Sequence, residues 1–257
     1  MNTFKIFLSI IALFFTIRTS AQCYFIDPPE QDPVLTDCAS ENGFTLPASG
    51  TVRILIIFAE IDYDVNPSND PNPNTNTDWP LHSIPSWVDE FCDPNVPTGT
   101  AQGLLTRYYQ QASSGNYYVI GDYLKAPYYG GIFSVKESEI AQSSYKSALK
   151  DEIVSSMGGN FVTGNNLNSV TYFDNWTKTG IFQEKITPSI DSPNKIDHVM
   201  VIWRNRIGLN NVGWGSSVSY ASILGFNSDS YSEFGTHSNN PITVARHEYA
   251  HMILGGN

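Results

Sequence analysis

Apolar residues run unbroken from Ile54 to Ala59 inside "TVRILIIFAEID" (Thr51–Asp62). The run is short and rich in β-branched side chains, the pattern of a strand covered on both faces. A second such run, "KIDHVMVIWRN" (Lys195–Asn205), predicts another buried strand. Between them, Leu104, Leu105, Tyr108, Tyr109 and Ala112 recur at three- and four-residue spacing, which predicts an amphipathic helix over Thr100–Ser113. "SGN" breaks it, and "YYVIGDYLKAPYYGG" (Tyr117–Gly131) reads as strand and turn, its aromatics serving the strand and the core. Ile140, Ala148, Leu149, Ile153 and Met157 mark one side of a second helix, Ser138–Met157, ended by Gly158 and Gly159. "GWGSS" (Gly213–Ser217) and "SYASILGF" (Ser219–Phe226) read as loop and edge strand. The last helix spans 241–254. Asn240 suits its cap, Pro241 its first position, and Gly255 and Gly256 its end. The expected order is strand, helix, strand, helix, strand, strand, helix. That is one α/β (α+β) domain, a mixed, twisted sheet with packed helices.

Composition narrows the class. The chain has 257 residues, 41% of them hydrophobic and 13% aromatic, enough for a substantial core and unlike a disordered chain. Its charge of −11 argues against a nucleic-acid partner, because neutralising phosphates needs a basic face. The first 21 residues read as a secretory signal. Lys5 precedes the apolar run Ile6–Ile17, which is too short to span a bilayer, and small residues lead to a cleavage point after Ala21. No membrane span is expected in the mature chain, which places it outside the cell or on its surface. Residues 22–50 form a lead-in without periodicity, and 51–257 hold the domain. Cys23, Cys38 and Cys92 allow at most one internal bridge, and none has metal-ligand spacing. The loop after the first strand is dense in Asn, Pro and Asp but matches no calcium-loop spacing.

The candidate chemistry sits in "RHEYAHMILGGN" (Arg246–Asn257). His247 and His251 lie one helical turn apart on one face, so their imidazoles can converge on a single ion. Imidazole suits zinc, and two such ligands are half of a tetrahedral shell. Glu248 is about 100° round from His247, beside the metal position, where a carboxylate can act as general base toward a water. The other histidines read differently. His198 opens a buried strand and is expected to be a hydrogen-bonded core residue, while His82 and His237 lie in polar loop sequence.

With these residues in view, the chain resembles secreted zinc metallopeptidases of the zincin fold, and more narrowly the immune-inhibitor-A-like group. "VRILIIFAE" resembles an opening strand of that group. "LLTRYYQQASSGNYYVIGDYL" resembles its helix and following strand, and "DSPNKIDHVMVIW" an Asp-rich turn leading into the central strand. "ITVARHEYAHMILG" resembles the active-site helix and is the specific part.

The resemblance implies a secreted endopeptidase acting on extracellular proteins or peptides with one catalytic zinc. His247 and His251 would be ligands and Glu248 the base. In the related metzincin pattern a glycine follows the second histidine by three residues and a third ligand by six. Here those positions hold Leu254 and Asn257, so no third ligand is assigned within the chain, and one is expected beyond Asn257. Calcium at the Asp-rich turn is unsupported, because Pro193 and Asn194 stand where Asp and Gly would favour it. In zincins the substrate lies along an edge strand above the zinc, and Gly213–Ser217 or Ser219–Gly225 are candidates for that edge. A zincin-like extracellular binding or adhesion protein without turnover is the alternative. In that reading the aromatic stretches would contact a glycan or a protein.

Overall fold

The computed structural model describes residues 45–70, 79–142, 144–179, 182–186, 195–205, 214–216, 227–236 and 241–254. The expected signal segment, Cys23, Cys38, Pro193, Asn194, Ser219–Gly225, His237, Asn240 and Gly255–Asn257 lie outside these residues.

The first apolar run is the hub of the sheet. Strand β1 (Gly50–Asp62) pairs in parallel with β2 (Tyr117–Tyr123) through its first half and with β3 (Phe133–Lys136) through its second. Its other side pairs in parallel with the second apolar run, as Leu55–Ala59 lie against Val199–Trp203. The strands β4 (Trp176–Thr179) and β5 (Phe182–Lys185) form a separate antiparallel ribbon. Strand β6 (Lys195–Trp203) continues the main sheet, β7 (Trp214–Ser216) forms its edge among the described residues, and β8 (Asn227–Gly235) lies between them, parallel to β6 and antiparallel to β7. The order across the sheet is β2-β1-β6-β8-β7.

Both faces of β1 are covered, as its continuous hydrophobicity requires. Side chains alternate along a strand. Val52, Ile54, Ile56 and Phe58 enter one core with helix α1 (Leu104–Ala112) and helix α3 (Pro241–Leu254). Leu55, Ile57, Ala59 and Ile61 enter the other with helix α2 (Tyr145–Met157). The architecture is helix, sheet, helix.

Several boundaries differ from the sequence reading. The second helix breaks into a short turn, Glu137–Ile140, and α2 proper. Ser144 causes the break, because its side chain accepts the N–H of Ser147 and caps a new helix start. In α1, Leu105 and Tyr109 are buried but Tyr108 and Ala112 face outward, so the apolar stripe is narrower than its spacing suggests. At the N-terminal side the folded unit takes in residues 45–50. Leu46 is buried, and β1 starts at Gly50.

Cys92 is a free, buried thiol, pushed up to about 12 by burial. Among the described residues no helix is long and apolar enough to cross a membrane.

Candidate active site

Helix α3 presents two faces. Ile242, Ala245, Tyr249, Met252 and Ile253 are buried against the sheet and α1. His247 and His251 each stand two positions beyond a core residue, about 200° round the helix, and so emerge on the outer side. Glu248 falls between the two faces.

Four contacts fix the rotation and height of the helix. The hydroxyls of Tyr249 and Tyr117 share a hydrogen bond of 2.7 Å. The Tyr109 hydroxyl donates to the Arg246 carbonyl at 2.9 Å. Arg246 lies over the Tyr108 ring, 4.7 Å from its centre. The N–H groups of Thr45 and Leu46 both donate to the Met252 carbonyl, at 3.0 and 3.1 Å. Helix ends leave carbonyls without intrahelical partners, and Thr45–Leu46 satisfies one of them.

The floor beneath Tyr249 is His198, whose ring meets the Tyr249 ring edge-on at 5.2 Å. His198 is fully buried. Its Nδ1 bonds Ser230 Oγ at 2.7 Å and its Nε2 bonds Ser232 Oγ at 2.8 Å. Burial pushes the imidazole down to about 3, so it is a neutral core residue, as its place in the strand suggested.

On the outer face, His247 Nε2 and His251 Nε2 approach to 3.1 Å, with their rings nearly perpendicular. Two nitrogens bound to one zinc at about 2.0–2.1 Å and a tetrahedral angle would be about 3.3–3.4 Å apart. The pair therefore fits a shared zinc with little adjustment, and its imidazole chemistry suits that metal. The Glu248 side chain beside it is only 2% exposed. Burial pushes its carboxyl up to about 7, which favours holding a proton near neutrality. Among the described residues no group of three His, Cys, Asp or Glu side chains is placed to hold a metal ion. The pair thus offers two imidazole nitrogens toward one point, with no third such donor beside them among the described residues.

Strand β7 bounds the same region. It packs against α3, runs antiparallel to β8, and pairs only with β8 among the described residues. Its residues lie within Gly213–Ser217, one of the two candidate edge stretches.

Asp197, in β6, is held by the protein's own backbone. Its carboxylate accepts the N–H groups of Asn175 and Trp176 at 3.0–3.2 Å. Nearby Asp174 is buried. One of its oxygens accepts the Lys195 N–H and the other has no partner among the described residues. Burial pushes Asp174 up to about 6, and Asp229 adds repulsion. A carboxyl whose folded-state pKa is raised costs nothing below its unfolded value. Its destabilisation grows as pH rises from the unfolded value to the folded one and is complete above it. Asp174→Asn is therefore expected to match the parent near pH 4 and to melt higher at pH 7.5, as thermal denaturation at the two pH values would register. A gap that shrinks with rising pH would contradict this assignment.

No protein-family model matches the chain, and no curated protein matches it either.

Proposed function

We propose that this chain carries the metal-binding helix of a secreted zinc endopeptidase of the zincin type, akin to the immune-inhibitor-A-like group. The observation that carries the reading is the convergence of His247 and His251 Nε2 at 3.1 Å with buried Glu248 alongside. Bound zinc would supply Lewis acidity toward a peptide carbonyl and a nearby water. The chain's own residues supply the rest. His247 and His251 offer the Nε2 lone pairs that hold the ion, so both rings must be deprotonated there. Glu248 takes a proton from the attacking water and returns it to the leaving amine. Its sheltered carboxyl suits that exchange near neutrality. Strand β7 offers a backbone edge beside the helix, along which an extended peptide can lie as an added strand. A binding protein without turnover would have no use for a base at position 248.

The test is metal content and hydrolysis together. Full-length protein purified without chelators is expected to carry about one zinc and to cleave casein. Chelation should abolish cleavage, and added zinc should restore it. Protein that is fully active without metal would overturn the reading.

A further inference from the structure

A second group of residues, at the carboxyl end of β1, is built in a way the helix site does not use. Glu60 lies just beyond the last β1–β6 pair, Ala59 with Trp203, and is completely buried. One Glu60 oxygen meets His82 Nδ1 at 2.5 Å, and the other accepts the His82 N–H at 3.0 Å. The His82 ring stacks on Tyr129, with centres 4.7 Å apart and planes 29° from parallel. Tyr129 and its neighbour Tyr128 stay 51% and 58% exposed, and Leu81 beside His82 is 41% exposed. The expectation that these tyrosines serve strand or core is overturned.

We propose that His82, Tyr128 and Tyr129 form a binding platform for a neutral carbohydrate. Three observations support it. The platform is preorganised, because His82 and Tyr129 both hold left-handed backbone, at φ 57° and 47°. That conformation is disfavoured for such side chains and persists where the surroundings enforce it. Here Gly130 brings the two loops together, so closely that an added Cβ would stand 3.2 Å from the His82 carbonyl oxygen. The place also fits. Sheet connections leave β1 toward β2 over the α1 face, whereas β6 is reached over the α2 face, so the chain reverses direction between β1 and β6. Open α/β sheets bind ligands outside the carboxyl ends of strands at such a reversal.

The chemistry selects the ligand. A pyranose presents a C–H face that packs on an aromatic ring and hydroxyls that bond to phenol and imidazole groups. Two tyrosine rings offer about 300–500 Å² at full burial, short of the roughly 800 Å² per partner of a stable protein interface. An anionic ligand would face a chain of charge −11 with the Glu60 carboxylate directly behind the platform. A cation would need that carboxylate, which His82 covers.

The test is native electrophoresis of the full-length protein in gels containing laminarin, xylan, mannan or hydroxyethylcellulose. At least one gel is expected to retard the protein. Tyr128→Ala and Tyr129→Ala should each weaken that retardation about ten-fold while leaving the melting temperature unchanged, and Tyr129→Trp should retain it. Unretarded migration in all four gels, or retardation that survives both alanine variants, would overturn the proposal. The readout needs no peptidase activity, so it stands apart from the helix site.

Discussion

Glu248→Gln in the full-length protein is expected to lower peptide hydrolysis by about 10²–10⁴-fold, the usual contribution of a positioned acid-base group. Zinc content should stay at about one per chain, because Gln leaves both imidazoles in place. Size and burial hardly change, so stability should hold. A neutral amide even removes the burial cost that pushes the carboxyl up to about 7. What the variant loses is the ability to accept and return a proton. Steady-state cleavage of a fluorogenic peptide, with metal analysis on the same preparation, separates these outcomes. Undiminished turnover with zinc bound would remove Glu248 from its proposed role. Loss of zinc together with turnover would make Glu248 part of the metal's support instead.

The Glu248 test depends on a helix whose limits were legible in the sequence. Helix α3 spans Pro241–Leu254, the bounds implied by Pro241 at its first position and by the Gly255–Gly256 pair that follows in the sequence. The two buried strands were equally legible, since Ile54–Ala59 and Val199–Trp203 are short runs apolar on both faces, as a strand covered on both sides requires. Strand β8 was not. Its sequence, "NSDSYSEFG", looks like solvated loop, yet Ser228, Ser230, Ser232 and Glu233 are all buried. Two of their partners, His198 and Trp203, lie about 30 residues away along the chain. Ser230 and Ser232 satisfy His198, while Glu233 accepts Trp203 Nε1 at 2.7 Å and the Tyr231 hydroxyl at 2.5 Å. A polar core strand is stable only as one half of such a network, so its pattern carries no local signal. The same holds for Thr45–Leu46, whose value is a carbonyl more than 200 residues away. His82 looked like an ordinary loop residue because its partner, Glu60, lies 22 residues earlier, just after the apolar run of β1.

His251→Ala is expected to weaken zinc binding by at least about 100-fold, and His247→Ala by a similar factor. Removing an outer hydrogen-bond partner of a metal ligand already costs about 10–100-fold, so removing the ligand itself should cost more. The pair acts through proximity. One helix holds both nitrogens 3.1 Å apart, so the second ligand binds at a high effective concentration once the first is engaged. A single remaining imidazole loses that advantage, and the double variant should bind little more weakly than either single one. Competition with a chromophoric chelator at pH 7.5 measures all three. The fold should barely notice, because His247 is exposed and His251 only half-buried, and such surface changes usually fall within about 0.5 kcal/mol. His198→Ala provides the contrast. It removes the ring partner of Ser232, takes one of the two hydrogen bonds of Ser230, which keeps the Asp197 carbonyl, and opens space under Tyr249, so it should cost about 2–4 kcal/mol of stability. Its zinc affinity should nevertheless stay near the parent value while the fold persists. If His198→Ala instead matched the loss seen at His247 and His251, the metal would belong to a different set of histidines, and the outer face of α3 would not be its site.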